Sequence, residues 1–282
     1  MYIDTHVHFW KLARGDYGWI KPDNAVLHQD YLPDQLLGSL SGLNVERIIA
    51  VQAASTVAET KYLLELAEQY PVIAGVVGWM DLEAASFEEE YAQLRTNPRF
   101  VGIRIGGGQI RKALESEGVF LARLRQLAAD QMTVDLLVRP SDLTDVVKLL
   151  EAVPGLRAVI DHLGNPLSSL ELEAQWEAGM QAAALYPQVM GKLSGMITPA
   201  GGFHPERLRS FVSRMFNWFG AERLMYGSDW PVALQAGAYE DVVRLFEELL
   251  DGGLSEGQLH ALRSGNAEKF YLNRADWVEA EV

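Results

Sequence analysis

The first ten residues, MYIDTHVHFW, carry one acid and two imidazoles, at Asp4, His6 and His8. Successive side chains of an extended chain alternate between faces. A strand through this segment therefore sets His6 and His8 on one side, with Asp4 in phase, and Thr5 and Val7 on the other. Two imidazoles so placed can share a divalent cation, zinc or manganese, which accepts nitrogen and carboxylate donors. Without metal, the same rings can polarise a carbonyl. Further candidates lie far along the chain: Gln52 in RIIAVQA, Arg104 in FVGIRI, His162 in VIDHLGNP, Lys192 and Ser194 in GKLSG, and Asp229 in YGSDWP. A carboxylate opposite a cationic cluster suits hydrolysis. One group takes a proton from water while the other holds the developing oxyanion.

Each residue alone admits a structural role. A histidine at a strand end is commonly just hydrogen-bonded, and Asp229 could cap a helix after Trp230-Pro231. Arg104 could be half of a buried ion pair, and Lys192 in an apolar strand needs a partner or a ligand. Asp161 falls on the opposite strand face from His162 and reads as structural. His28, His204 and His260 read as surface residues, whereas Trp10 and Trp230 directly follow polar clusters and are expected to line a pocket. It is the combination, imidazoles and a carboxylate at the ends of different strands, that points to chemistry.

Such convergence requires a scaffold that gathers strand ends. Eight short apolar runs occur at 1–9, 47–53, 72–79, 100–105, 133–138, 157–162, 189–194 and 223–229, separated by amphipathic helical patterns. Alternating strands and helices argue for a parallel sheet, and eight pairs close a (β/α)8 TIM barrel whose site lies at the C-terminal strand ends. An open doubly wound sheet would carry a glycine-rich phosphate turn after its first strand. Here HVHFWK follows instead, and GIRIGGGQ at 102–109 reads as a flexible loop after the fourth strand. Residues 1–282 read as one α/β domain, with a helical extension from about 254.

Composition excludes several classes. The 24 basic and 38 acidic residues leave a net charge of −14, which opposes nucleic-acid and anionic-membrane partners. Cysteine is absent, so thiolate chemistry and disulfides are ruled out, and any metal site must use histidine and carboxylate. No secretory leader or membrane-spanning run is visible, which reads as a cytoplasmic protein acting on a small molecule. Nothing in the sequence fixes an oligomeric state.

The ordered pieces DTHVHFW (4–10), GVVGWMDL (75–82), GIR (102–104), DHLGNP (161–166), GKLSG (191–195), RLMYGSDWPV (223–232) and GNAEKFY (265–271) resemble the amidohydrolase superfamily. The likeness is to its lactonase-like branch, which includes sugar-acid and 2-pyrone-4,6-dicarboxylate lactonases. This resemblance implies a hydrolase acting on a lactone, a cyclic ester of a sugar acid or small carboxylic acid. It implies Asp229 as general base, with His162 near the substrate carbonyl. His6, His8, His162 and Asp229 would hold a single divalent metal, zinc or manganese, or act metal-free, while Arg104 and Lys192 would hold a carboxylate or polarised oxygen. Gln52, Trp10 and Trp230 complete the expected substrate contacts. The strand-four lysine that bridges two metals in binuclear members is absent from FVGIRI, so one ion or none is expected. Relatives usually carry a histidine after the GIR arginine. Here Ile105 stands there, and a substrate-facing polar group is expected to be missing or replaced. The alternative within the same barrel is a metal-dependent, non-oxidative decarboxylase of an aromatic or unsaturated acid.

Overall fold

The computed structural model describes residues 1–115, 118–168, 170–250 and 252–273. Eight parallel strands form one sheet in sequential order: β1 (Tyr2–Val7), β2 (Val45–Val51), β3 (Ile73–Gly78), β4 (Phe100–Gly106), β5 (Thr133–Leu137), β6 (Arg157–Ile160), β7 (Met190–Leu193) and β8 (Leu224–Tyr226). β1 and β8 are joined at the mouth, where Val7 bridges Trp230 and the His8 amide donates to the Trp230 carbonyl at 2.8 Å. The result is the (β/α)8 TIM barrel.

The strands are apolar on both faces because both are covered. Ile3, Ile49, Val77, Val159 and Met225 pack inside the barrel. Helices α1 (Pro33–Ser39), α2 (Val57–Gln69), α3 (Phe87–Leu94), α4 (Gly107–Glu115), α5 (Val119–Ala129), α6 (Leu143–Ala152), α7 (Glu173–Ala183), α8 (Ile197–Ala200), α9 (Pro205–Phe219) and α10 (Tyr239–Leu249) follow in order. Their buried stripes share a second apolar layer with the outward strand residues. A last helix, α11 (Glu256–His260), continues in wider turns to Leu272 and puts Phe270 and Tyr271 inside the barrel. This segment meets the strand starts, where Arg157 donates to the Phe270 carbonyl and Arg47 pairs with Glu268. It closes the end opposite the mouth. No helix among the described residues is long and apolar enough to cross a membrane.

One expectation is corrected here. GGGQ does not make a flexible loop: β4 runs to Gly106, and α4 starts at Gly107. A Cβ on Gly107 would lie 2.3 Å from Asp142 Cγ, so glycine serves a close approach between elements. The Gln109 side chain accepts from the Gly106 amide at 2.9 Å and pins the helix start.

The turn after β2 is held by a buried carboxyl. Glu59, in the first turn of α2, accepts from the Ala53 amide at 2.9 Å and from the Ala54 amide. Burial, opposed by those two donors, raises its pKa to about 7, and the Asp16 carboxylate pushes the same way. The unfolded chain releases this proton near 4.5. Between the two values the folded state binds more protons, so the stability Glu59 contributes is full below pH 4.5 and lost as pH rises to 7. The span is worth about 3 kcal/mol. Urea unfolding at pH 5 and pH 8 should show a smaller loss for Glu59→Gln than for the wild type, and equal losses would contradict this account of Glu59.

Candidate active site

The alternation expected along β1 breaks in the middle. Tyr2 packs on Phe246 of α10 and Asp4 accepts from the Tyr239 hydroxyl of the same helix, so both face outward while Ile3 faces in. A register shift between Asp4 and Val7 then changes the phase. His6 and His8 consequently point into the barrel, and Asp4 does not share their face.

Asp4 acts instead as a staple. It is fully buried, and one oxygen accepts from the Ser228 amide at 2.8 Å and the His6 amide at 3.1 Å. The other accepts from Tyr239 at 2.7 Å. The next residue in the turn, Asp229, adopts a left-handed backbone with φ +61° and donates its amide to the His6 carbonyl at 2.8 Å. The turn thereby aims the Asp229 carboxylate at the imidazole pair, 3.4 Å from His8 Nε2 and 3.8 Å from His6 Nε2.

His8 Nδ1 lies 2.8 Å from the Val51 carbonyl, and only a protonated Nδ1 can donate to it. Nε2 then faces the Asp229 carboxylate across a gap that could take a cation or a water. His6 Nδ1 lies 3.4 Å from Asp161, which leaves Nε2 toward Arg104 Nη1 at 3.5 Å. Burial holds the His6 pKa well below the usual imidazole value, with the Lys192 and His162 charges adding to it and Asp161 opposing. Arg104 Nη2 donates to the Gln52 carbonyl, so Gln52 serves the site through its backbone.

β6 ends at Ile160, one residue short of the polar pair. His162, Leu163 and Asn165 all take positive φ, from 54° to 55°, so strand alternation no longer applies. Asp161 and His162 both turn inward. Asp161 is therefore part of the central cluster, against the expectation that it stands apart. The α7 indole of Trp176 fastens the turn by donating to the Leu163 carbonyl at 2.6 Å. His162 Nδ1 rests 2.9 Å from Ser194 Oγ, and its ring centroid lies 4.5 Å from that of His6. Burial lowers its pKa, with Asp229 and Asp161 opposing.

Three further sequence expectations change. Lys192, expected to hold a substrate oxygen, is fully buried and pairs with Asp135 at 2.5 Å and Asp161 at 3.2 Å. An ammonium inside the barrel requires such counter-charges. Trp10 and Trp230 are fully buried and pack edge-on against Tyr31, which makes them core rather than pocket wall. Trp19, missed in the sequence, is 44 % exposed over Trp10, with its indole N–H on the Ala53 carbonyl at 2.7 Å. Ile105 lies in the apolar layer between barrel and helices, on the opposite face from Arg104, so its side chain leaves no gap in this cluster. Asp135 was also missed; the available signal was a lone acid within the apolar run TVDLLV.

Arrangement and donor types fit one divalent ion. His6, His162 and Asp229 each present a ligand atom within 4.8 Å of the others, and His8 Nε2 adjoins the same carboxylate. The remaining polar groups can hold a water and polarise a carbonyl beside it.

Gly195 makes room for His162. Its φ is +57°, and a Cβ there would lie 2.4 Å from His162 Nδ1. Gly195→Ala should displace the ring from Ser194 and cost about 2–4 kcal/mol through strain and overpacking. Calorimetry should show a lower melting temperature, and the His162 imidazole resonances should move; unchanged resonances would contradict the packing described.

Comparison with known proteins identifies the chain's relatives. Two curated L-fucono-1,5-lactonases are similar over nearly their whole length. The Burkholderia multivorans protein is 35% identical over 281 residues, 95% of each chain. The Burkholderia ambifaria protein is 33% identical over 278 residues, 95% of this chain and 94% of its own. A crystal structure of an amidohydrolase from Burkholderia multivorans with bound zinc superposes with a TM-score of 0.88 at 34% identity, covering 96% of this chain and 99% of that one. Residues 3–272 match the Amidohydrolase family (Amidohydro_2), and the chain belongs to that family.

Proposed function

We propose that this protein hydrolyses the lactone of a sugar acid, with Asp229 activating the attacking water. The observation that carries the reading is the Asp229 carboxylate held 3.4 Å from His8 Nε2 and 3.8 Å from His6 Nε2, within the arc of Arg104 and His162. Whole-length similarity to two L-fucono-1,5-lactonases supports the substrate class.

Asp229 removes a proton from water as the oxygen attacks the lactone carbonyl. The carbonyl electrons move onto oxygen, where the Arg104 guanidinium offsets the charge. Arg104 is tied to the Gln52 carbonyl and pays little reorganisation at the moment of reaction. Collapse of the tetrahedral centre breaks the acyl–ring oxygen bond, and protonated Asp229 returns its proton to the departing alkoxide. The product is an open-chain hydroxy acid. His162 is neutral near pH 7 because burial lowers its pKa, so it can hydrogen-bond the carbonyl or the water rather than repel Arg104.

A zinc or manganese ion would be held by His6, His8, His162 and Asp229, and when bound it would supply Lewis-acid polarisation and a more acidic water. An aspartate is a weak base at its reference pKa of about 3.9, and a lactone is a correspondingly undemanding ester. The decarboxylase alternative lacks support of the same weight: two lactonases match nearly the whole chain at 33% and 35% identity, whereas the decarboxylases that share the fold are 12% and 15% identical.

A pH-stat assay on sugar-acid 1,5-lactones, beginning with L-fucono-1,5-lactone, tests the proposal. Wild-type protein should release acid, and Asp229→Asn should lose about 10²–10⁴-fold in kcat with an unchanged circular dichroism spectrum. A near wild-type rate in Asp229→Asn would refute its role as base. Release of CO₂ from aromatic acids without lactone turnover would favour the decarboxylase.

A further inference from the structure

Beneath the site described above lies a second ligand set. His6 Nδ1 and carboxylate oxygens of Asp135 and Asp161 lie within 4.8 Å of one another, and all three side chains are buried. Two carboxylates and an imidazole in a closed interior form a donor set for a divalent cation. Its centre is filled by Lys192. The ammonium nitrogen lies 2.5 Å from Asp135, 3.2 Å from Asp161 and 3.3 Å from His6 Nδ1. The Tyr271 ring sits beneath it at 5.4 Å, and the Tyr271 hydroxyl donates to the second Asp135 oxygen at 2.8 Å. Neither oxygen of Asp161 has a formed hydrogen bond among the described residues, although both are buried; its nearest partners are the Lys192 ammonium at 3.2 Å and His6 Nδ1 at 3.4 Å.

We propose that Lys192 is an internal cation standing where a second metal ion would sit, and that removing it opens a divalent-metal site made of His6, Asp135 and Asp161. An ammonium neutralises one charge and cannot dissociate. It keeps Asp161 against His6 Nδ1 whatever the metal supply, and so keeps His6 Nε2 turned toward Arg104 and Asp229. It also limits the barrel to one exchangeable ion, at the upper set of His6, His8, His162 and Asp229. The consequence for His6 rests on the hydrolase reading, whereas a metal count needs no substrate, so the two can fail separately.

The test is zinc content by atomic emission after saturation with zinc and gel filtration. Wild-type chain should hold at most about one ion. Lys192→Ala should hold about one more and gain melting temperature with zinc, because two buried carboxylates have lost their counter-charge. Adding Asp135→Asn to Lys192→Ala should return the count to the wild-type value. A Lys192→Ala chain that zinc neither loads further nor stabilises overturns the proposal, whether or not the metal-free variant folds. So does an extra ion that persists in the double variant, since it would sit elsewhere.

Discussion

The Asp4 carboxylate is the joint on which the rest of the site depends. It ties the first strand to the last turn of the barrel, accepting from the Ser228 amide, the His6 amide and the Tyr239 hydroxyl. Burial raises the pKa of Asp4, and the Ser228 and Tyr239 donors oppose that rise. A fully buried carboxyl with three donors is costly to disturb, because each donor left unpaired carries its own desolvation penalty of about 1–3 kcal/mol. Its geometric effect is larger than its energy. By fixing Ser228 it fixes the left-handed Asp229, and by fixing the His6 amide it fixes the face that His6 presents.

Two layers of charge are stacked inside the barrel. In the upper layer, the Asp229 carboxylate confronts the imidazoles and the Arg104 guanidinium at the mouth. In the lower, Asp135, Lys192 and Asp161 are sealed from water. Burial raises the Asp135 pKa to about 6, with Lys192 opposing. Burial would raise Asp161 too, but the Lys192 ammonium and then the His6 imidazole override it and hold it well below the usual carboxylate range. The same ammonium faces both acids, and its second neighbour is the one that touches His6. Unpaired, either carboxylate would cost several kcal/mol in such an interior.

Much of this was legible from the chain. Eight apolar runs alternating with amphipathic segments required a closed parallel sheet, and HxH with distant His162 and Asp229 located the mouth. Failures cluster where backbone geometry departs from regular periods. A bulge in β1 took Asp4 off the histidine face, and left-handed residues after β6 turned Asp161 inward alongside His162. Tertiary context misplaced others. Lys192 looked like a substrate contact because its partners, Asp135 and Asp161, sit on two other segments. Trp10 and Trp230 looked like pocket walls because adjacency to polar residues says nothing of which face is covered. Trp19 carried no local signal beyond its size.

Steady-state turnover of Asp4→Asn on a lactone tests the central claim most directly. An asparagine fills the same space but keeps a single acceptor oxygen, so its NH2 group replaces an acceptor either for the two backbone amides or for the Tyr239 hydroxyl. The barrel should still fold while kcat falls by about 10²-fold, because Asp229 shifts relative to His6 and His8. Tyr239→Phe, which removes only the outer donor, should fall far less. Wild-type turnover in Asp4→Asn would mean that Asp229 is aimed by something other than this staple.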